Sequence, residues 1–445
     1  MTNPLLTLAF LLLLGARAAA EALPAERMSF LENGTVKVGV DLNRGGAITY
    51  LSRDGGANIV NNFDLGRQVQ LSFYGGPVPY VVGDKHPSKH WELLGWNPIQ
   101  AGDDWKHGST VVDHRNDGRQ IYIKCIPLQW PLDNVPAECT FETWLELDRY
   151  VVKVRGRLNN ARSDHTPYAA RLQELPALYA NAPFQRVLSY TGDHPFTGGA
   201  VTQIPKPEGV HPWSFWQATE HWSALLDSED KGLGLITPGR IYFTGGQAGP
   251  SGPNDTHASG TGYLAGQGLE IMDYNITYDF PFELVAGTLA EIRERALAER
   301  SENLPSWNFT TNRQGWHYIN ATDKGWPIQN YLDVLLKKPD PQLIGPFTFW
   351  RAEDAPYVII EAAYQTQQKT ATLFWQKHGQ TSIPGENSMS FPIQSDAGFH
   401  RYKVDLSSIP SYQGGIILLR FDPIPNGSPG EWVRVKSIRL SKSGE

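Results

Sequence analysis

The stretch "RLNNARSDHTPYAARLQELPALYAN", Arg157–Asn181, runs as a strand, a polar turn and a second strand. The second strand carries Arg171, Gln173 and Glu174 among apolar residues, just ahead of Pro176. With a side-chain period of two, Arg171 and Gln173 share one face and Glu174 lies on the other. A bulge before Pro176 would bring the three together. Burial of an unpaired Arg or Glu is costly, so the group is either a structural ion pair or the floor of a polar groove. A large sheet with one open face favours the groove.

The same alternation extends outward. "TVKVGVDL", "QVQLSFY" and "RYVVKVRGRL" alternate, and "HWSALLDS" with "KGLGLITPG" forms a hairpin pattern around Ser228, Glu229 and Asp230. From Met28 to about Phe282 this is an all-β pattern, interrupted by a Gly-, Ser-, Asn- and Asp-rich loop at Gly249–Gly268. One helix is expected in "GTLAEIRERALAERSENLP". Thr288 and Glu291 form a capping box there, and Leu289, Ile292, Ala296 and Leu297 share a face. Strands resume from about Asn312 to Ser441 and suggest a second, smaller β-sandwich. The expected organisation is residues 1–20 as a signal peptide, 21–302 as a large β-domain and 312–441 as a smaller β-sandwich. The fold class is all-β, with one connecting helix.

Composition bounds the function. The 445 residues include 14 Trp, 18 Tyr and 18 Phe, while only 19% are charged. Rings of this kind serve cores first, and some can stack on a flat uncharged ligand such as a sugar. A net charge of −7 with scattered basic residues points away from nucleic acid and from an electrostatic membrane patch. The apolar run Leu5–Leu14 is too short to span a bilayer, and small residues follow it up to Ala20. This predicts a secretory leader and a secreted, extracellular protein. Six glycosylation sequons fit that reading, at Asn33, Asn254, Asn275, Asn308, Asn320 and Asn426. The two cysteines, Cys125 and Cys139, flank "IPLQWPLDNVPAE" between two strands. In an oxidising compartment a disulfide across this hairpin is expected, with two buried free thiols as the alternative.

Several motifs are missing: there is no G-x-S-x-G, no P-loop and no dinucleotide fingerprint. His86, His90 and Glu92 in "HPSKHWE" lack helical spacing and a distant third ligand, so no metal and no cofactor is expected. In "NNFDLGRQVQLSFYGGP", Asp64 and Gly66 mark a turn. Arg67 then enters a strand, with Gln68 and Gln70 on the opposite face and Tyr74 before a turn. "HWELLGWNPIQAGDDW" interleaves His90, Trp96, Asn97, Gln100, Asp103 and Asp104. Ring faces that stack, beside amides and carboxylates that bind hydroxyls, suit a sugar. "HPWSFWQATEHW" adds His211, Trp213, Trp216, Gln217, Glu220, His221 and Trp222. On a single strand Trp216, Ala218, Glu220 and Trp222 would share a face. A carboxylate between indoles is a general-acid candidate, because burial raises its pKa, or else a structural hydrogen-bonding group.

On these residues, "VKVRGRLNNARSDHTPYAARLQELPALYAN" resembles the segment of galactose mutarotase-like (aldose-epimerase-like) proteins in which a strand ends, a loop carries Thr-Pro, and the next strand delivers a polar catalytic cluster. "GRQVQ" after "NIVNNFD" is similar to their early Gly-Arg motif. The resemblance implies a β-supersandwich, a fold shared by epimerases, polysaccharide lyases and domains of glycoside hydrolases. The epimerases carry Asn-His where this chain has Gln173-Glu174, which speaks against simple epimerisation. The end of the chain, "GGIILLRFDP…WVRVKSIRL", looks like jelly-roll carbohydrate-binding modules.

The expected function is binding of a polysaccharide or oligosaccharide and cleavage of its glycosidic bonds. Hydrolysis would pair Glu174 with Glu220 or Asp103. β-Elimination would use Arg67, Arg171 or Lys89 to neutralise a uronate, with His90, His221 or Tyr74 as base. Gln173, Gln70, Tyr74, His90, Trp96, Asn97, Trp216 and Trp222 would bind the sugar. The alternatives are a non-catalytic glycan binder and an aldose epimerase.

Overall fold

A computed structural model describes residues 22–206 and 213–445. The leader expected at residues 1–20 and His211 lie outside the described residues. Among those described, the regular structure is antiparallel strand apart from one α-helix, Leu289–Ala298, and a single 3-10 turn, Ala352–Asp354.

Two large sheets form the first layer pair. A nine-stranded sheet runs in the order Thr202–Gln203, Arg186–Ser189, Trp222–Leu226, Lys231–Ile236, Thr277–Thr288, Val151–Asn160, Cys139–Asp148, Gln120–Ile126 and Thr110–Asn116. A seven-stranded sheet runs Trp213–Gln217, Tyr242–Ala248, Thr261–Glu270, Arg171–Asn181, Gln70–Ser72, Pro98–Ile99 and Leu128–Gln129. Their inner faces interlock through one core that joins Ile121, Phe141 and Phe280 of the first sheet to Leu71, Leu178, Phe243 and Leu264 of the second. A three-stranded sheet, Met28–Glu32, Val36–Asp41 and Ala47–Arg53, adds Val38, Val40 and Leu51 to that core.

The helix begins at the expected capping box. The Thr288 side chain accepts from the Glu291 amide, and Glu291 reaches back to the Thr288 amide at 2.8 Å. Ile292 and Ala296 are buried, but Leu297 is exposed. Arg295 takes the buried side instead, because Glu283 offers it two bonds of 2.7 and 2.6 Å.

Residues 306–441 build two further sheets around a separate core that includes Trp316, Trp375, Tyr364 and Phe421. This second unit is fastened to the first by polar bonds. Arg313 bridges Asp273 (2.5 Å) and Asp323 (2.6 Å), and Asn275 donates to the Trp326 carbonyl at 3.1 Å.

The expected disulfide is absent. Cys125 and Cys139 are buried free thiols. In the strand pair Gln120–Ile126 with Cys139–Asp148, Cys125 stands opposite Phe141, two residues from Cys139. A diagonal pair of that kind lies roughly 7–8 Å apart, beyond the ordinary disulfide span. Burial pushes the Cys125 thiol up to about 12 and raises Cys139 as well.

Candidate functional site

The outer face of the seven-stranded sheet is set by simple alternation. Leu175, Leu178, Phe243 and Leu264 point into the core, which sends Glu174, Tyr179, Thr244, Tyr263 and Gln267 the other way. Arg171–Asn181 pairs with Thr261–Glu270 so that Glu174 faces Gln267 and Tyr179 faces Tyr263, with a register shift between Glu174 and Ala177. The bulge expected before Pro176 is therefore present.

Arg171, Gln173 and Glu174 converge on one residue, Tyr74. Gln173 accepts from the Tyr74 amide at 2.7 Å and donates to the Tyr74 carbonyl at 2.9 Å. Arg171 donates to the carbonyls of Gly75 (3.0 Å) and Leu94 (2.7 Å), and its guanidinium lies 6.0 Å from the centre of the Tyr74 ring. Glu174 accepts from the Tyr74 hydroxyl at 2.9 Å and from the Tyr263 hydroxyl. Gln173 and Arg171 thus fix the backbone that aims Tyr74, and Glu174 takes the hydroxyl so aimed.

Glu174 is 8% exposed and has no cationic partner among the described residues. Burial raises its carboxyl above the ordinary range, against the pull of the Tyr263, Ser72 and Tyr74 hydroxyls. Burial likewise pushes the Tyr74, Tyr179 and Tyr263 phenols well up, so all three stay protonated donors at neutral pH. Tyr179 feels the charge of Glu174 from one side and of Arg67 and Asp64 from the other. Arg67 lies 3.2 Å from Asp64, donates to the Ser259 carbonyl at 2.7 Å and covers the Phe63 ring at 4.7 Å. Burial also raises the Asp64 carboxyl, with the Arg67 cation offsetting part of the shift.

Glu174, Tyr74, Tyr263 and Tyr179 therefore gather on the side of the seven-stranded sheet away from the main core, with Arg67 and Asp64 near enough for Tyr179 to feel their charges; Glu174, Tyr74, Tyr263 and Arg67 are buried there. Asp64, Tyr179, Tyr263 and Gln267 are the residues the sequence reading did not select. Asp64 was legible only as a turn residue. Tyr179 and Tyr263 belong to alternating strands and would have emerged from pairing those two strands. Gln267 is 5% exposed, and its carboxamide bonds to no other described residue.

The other expected site residues lie elsewhere. The segment "WQATEHWSALL" is not one strand. Trp213–Gln217 ends in the seven-stranded sheet, the chain turns at His221 (φ 62°), and Trp222–Leu226 enters the nine-stranded sheet. Trp216 and Trp222 are consequently buried in two different cores and cannot flank a ligand together. Glu220 is fully buried and locked to Arg293 of the helix by bonds of 2.9 and 2.7 Å, with Trp222 Nε1 and the Phe196 amide completing its shell. It is an ion pair that anchors the helix. His221 accepts from the Gly239 amide at 3.1 Å, and burial lowers its pKa to about 4.

Asp103 is a loop pin that accepts from the amides of Trp105, His107 and Asn134 and contacts His107 Nδ1 at 2.9 Å. Gln70 ties the same region down, donating to the Leu65 carbonyl and accepting from the Ala101 amide. Trp96 is fully buried within the main core, and Asn97, also fully buried, donates to the Phe73 carbonyl, so neither reaches the open face. His90 is exposed and packs edge-on against Trp91 at 4.1 Å, beside the loop that Arg171 caps. His86, His90 and Glu92 do not form a metal cluster. Among the described residues the cluster with suitable geometry is Asp103, His107 and Asp133, within 4.8 Å of one another. Protein donors already fill Asp103, and Lys85 holds Asp133 at 3.0 Å.

No protein-family model matches the sequence, and no curated protein matches it. Solved structures do. A galactose mutarotase-like protein from Lactobacillus casei covers 58% of this chain and 99% of its own, at 16% identity and a TM-score of 0.36. A galactose mutarotase related enzyme from Lactobacillus acidophilus covers 58% and 97%, at 10% identity and a TM-score of 0.37. A galactose mutarotase-like protein from Clostridium acetobutylicum covers 59% and 96%, at 10% identity and a TM-score of 0.35. These likenesses are distant in both sequence and superposition and assign no activity to this chain.

Proposed function

We propose that this is a secreted carbohydrate-active protein that binds a polysaccharide or oligosaccharide on the open face of the seven-stranded sheet and hydrolyses a glycosidic bond there. The observation that carries the reading is a pair of carboxyls in contrasting settings on one face. Glu174 is surrounded only by neutral hydroxyl donors, whereas Asp64 has the Arg67 cation beside it. Environments that treat two carboxyls differently separate an acid from a base. Glu174 is the general acid that gives its proton to the leaving glycosidic oxygen. Asp64 is the carboxylate that activates water or attacks the anomeric carbon. Tyr179 and Gln267 supply hydrogen bonds to sugar hydroxyls, and the Arg67 cation offsets part of the burial that raises the Asp64 carboxyl.

A second reading rests on Arg67 and Tyr179. A cation near a phenol whose hydroxyl bonds to no other described residue also suits elimination on a uronate. Burial keeps the Tyr179 phenol protonated and so unavailable as a base, so hydrolysis ranks first. Incubation with a panel of neutral and uronic polysaccharides separates the cases. New reducing ends without the ultraviolet absorbance of unsaturated uronates support hydrolysis, and absorbance supports elimination. Retention on a glycan column with neither signal means a non-catalytic binder. Anomerisation of free aldose without chain cleavage would reassign the protein as an epimerase. No interaction and no turnover with any glycan would overturn the proposal.

A further inference from the structure

The ring path that starts at Glu174 does not stop at the edge of its sheet. Tyr179 and Tyr263 have centroids 4.6 Å apart, and Tyr263 and Trp213 are also 4.6 Å apart. Trp213 belongs to the edge strand Trp213–Gln217, and Phe215 lies two residues further along on the same face, roughly 7 Å away. Phe215 is 39% exposed. It stacks on Tyr242 at 5.8 Å with planes 25° apart, and Tyr242 meets Phe347 at 4.7 Å and 35°. Phe347 belongs to the second unit, on the segment that follows the strand Gln342–Ile344.

Core packing does not account for Phe215, because it faces away from Trp216 and Phe243, which bury the other side of the same two strands. The Tyr242 phenol is pushed up to about 12 by burial alone, and its hydroxyl bonds to no other described residue. The bonds from Arg313 to Asp273 and from Asn275 to Trp326 hold the second unit where Phe347 completes the row.

From this geometry we infer that Phe215, Tyr242 and Phe347 form a distal subsite for an uncharged stretch of the same glycan chain whose reacting residue lies at Glu174. This deepens the proposed function and rests on it. The second unit then serves as a fixed extension of the first unit's groove. The ligand is a chain of several residues, because a single sugar cannot reach both Glu174 and Phe347.

The test uses the full chain with Phe215→Leu and Phe347→Leu, which keep apolar volume and remove the flat ring. Thermal unfolding checks that both variants fold. For each, kcat/KM is measured on a long chain and on a short oligosaccharide of the best substrate in the panel. The ratio of long-chain to short-chain kcat/KM is expected to fall about tenfold, through KM, the size of effect that one stacked ring supplies. Glu174→Gln protein should bind the polysaccharide in affinity electrophoresis, and adding Phe215→Leu should weaken that binding by a similar factor. A ratio that stays constant while the wild type still turns over would overturn the distal subsite and leave the proposed function intact. Failure of the wild type to bind or cleave any glycan would overturn both.

Discussion

Glu174 and Glu220 look alike in the sequence. Each is a carboxylate set among apolar residues and followed within a few positions by an apolar run. Both are buried in the fold, but their partners differ. Glu220 meets a guanidinium in two-bond geometry and an indole N–H, and it joins the helix to the nine-stranded sheet. Glu174 meets hydroxyls, those of Tyr74, Tyr263 and Ser72, on the face of the other sheet away from the main core. A buried carboxylate with a full ionic partner is committed to stability. One with neutral donors can hold or release a proton, which is what acid–base chemistry requires.

The contrast can be broken at several points. The largest effect belongs to Glu174→Gln. It should cost at least about 100-fold in turnover, the usual scale of a general acid, while leaving the unfolding temperature near that of the wild type. A variant that keeps its activity would remove Glu174 from the chemistry. Glu220→Gln should do the reverse. It leaves Arg293 without its charge partner and should destabilise the fold by about 3 kcal/mol, with turnover per folded molecule unchanged; denaturant melts combined with active-site titration read both quantities.

Next in size is Tyr263→Phe, which removes one hydrogen bond to the Glu174 carboxylate, worth about 1.5 kcal/mol. The Tyr263 hydroxyl pulls the Glu174 pKa down against burial, so its loss should let that pKa rise. The acid form then persists to higher pH, and the alkaline limb of the kcat profile should move upward. A limb that moves downward would contradict this role.

The smallest effect concerns the side of the comparison that holds Glu220. His221 has its pKa lowered from 6.5 to about 4 by burial. The unfolded chain takes up this proton first, so His221 contributes full stability above pH 6.5, and that contribution is lost as pH falls from 6.5 towards 4. His221→Gln should flatten the acid limb of the melting curve by about 1 kcal/mol once solvent screening is allowed for. His317 in the second unit, lowered to about 4 for the same reason, should keep its own acid limb in that variant.

The strands were legible because alternation is local. "RYVVKVRGRL" and "RLQELPALYA" announce period two, and the helix announces itself through Thr288 and Glu291. That Arg171, Gln173 and Glu174 need nearby partners was legible as well, since polar residues in an apolar strand must find them. The second carboxyl was not. Asp64 reads as a turn residue, and only the pairing of distant strands places it near Tyr179. The reading of Glu220 failed at His221, whose positive φ redirects the chain from one sheet to the other. Nothing within "QATEHW" distinguishes that turn from a continuous strand.

By itself the sequence determined an all-β chain, one capped helix, and a bulged strand that carries a cation, an amide and a carboxylate. These follow from side-chain periodicity, capping and the cost of burying polar groups, all of which act over a few residues. Only the tertiary structure decided which carboxyl has a cation for a partner, which rings line up beyond Trp213, and that Cys125 faces Phe141 and not Cys139. Those outcomes depend on strand register and sheet order, which the chain sets through contacts between residues a hundred positions apart.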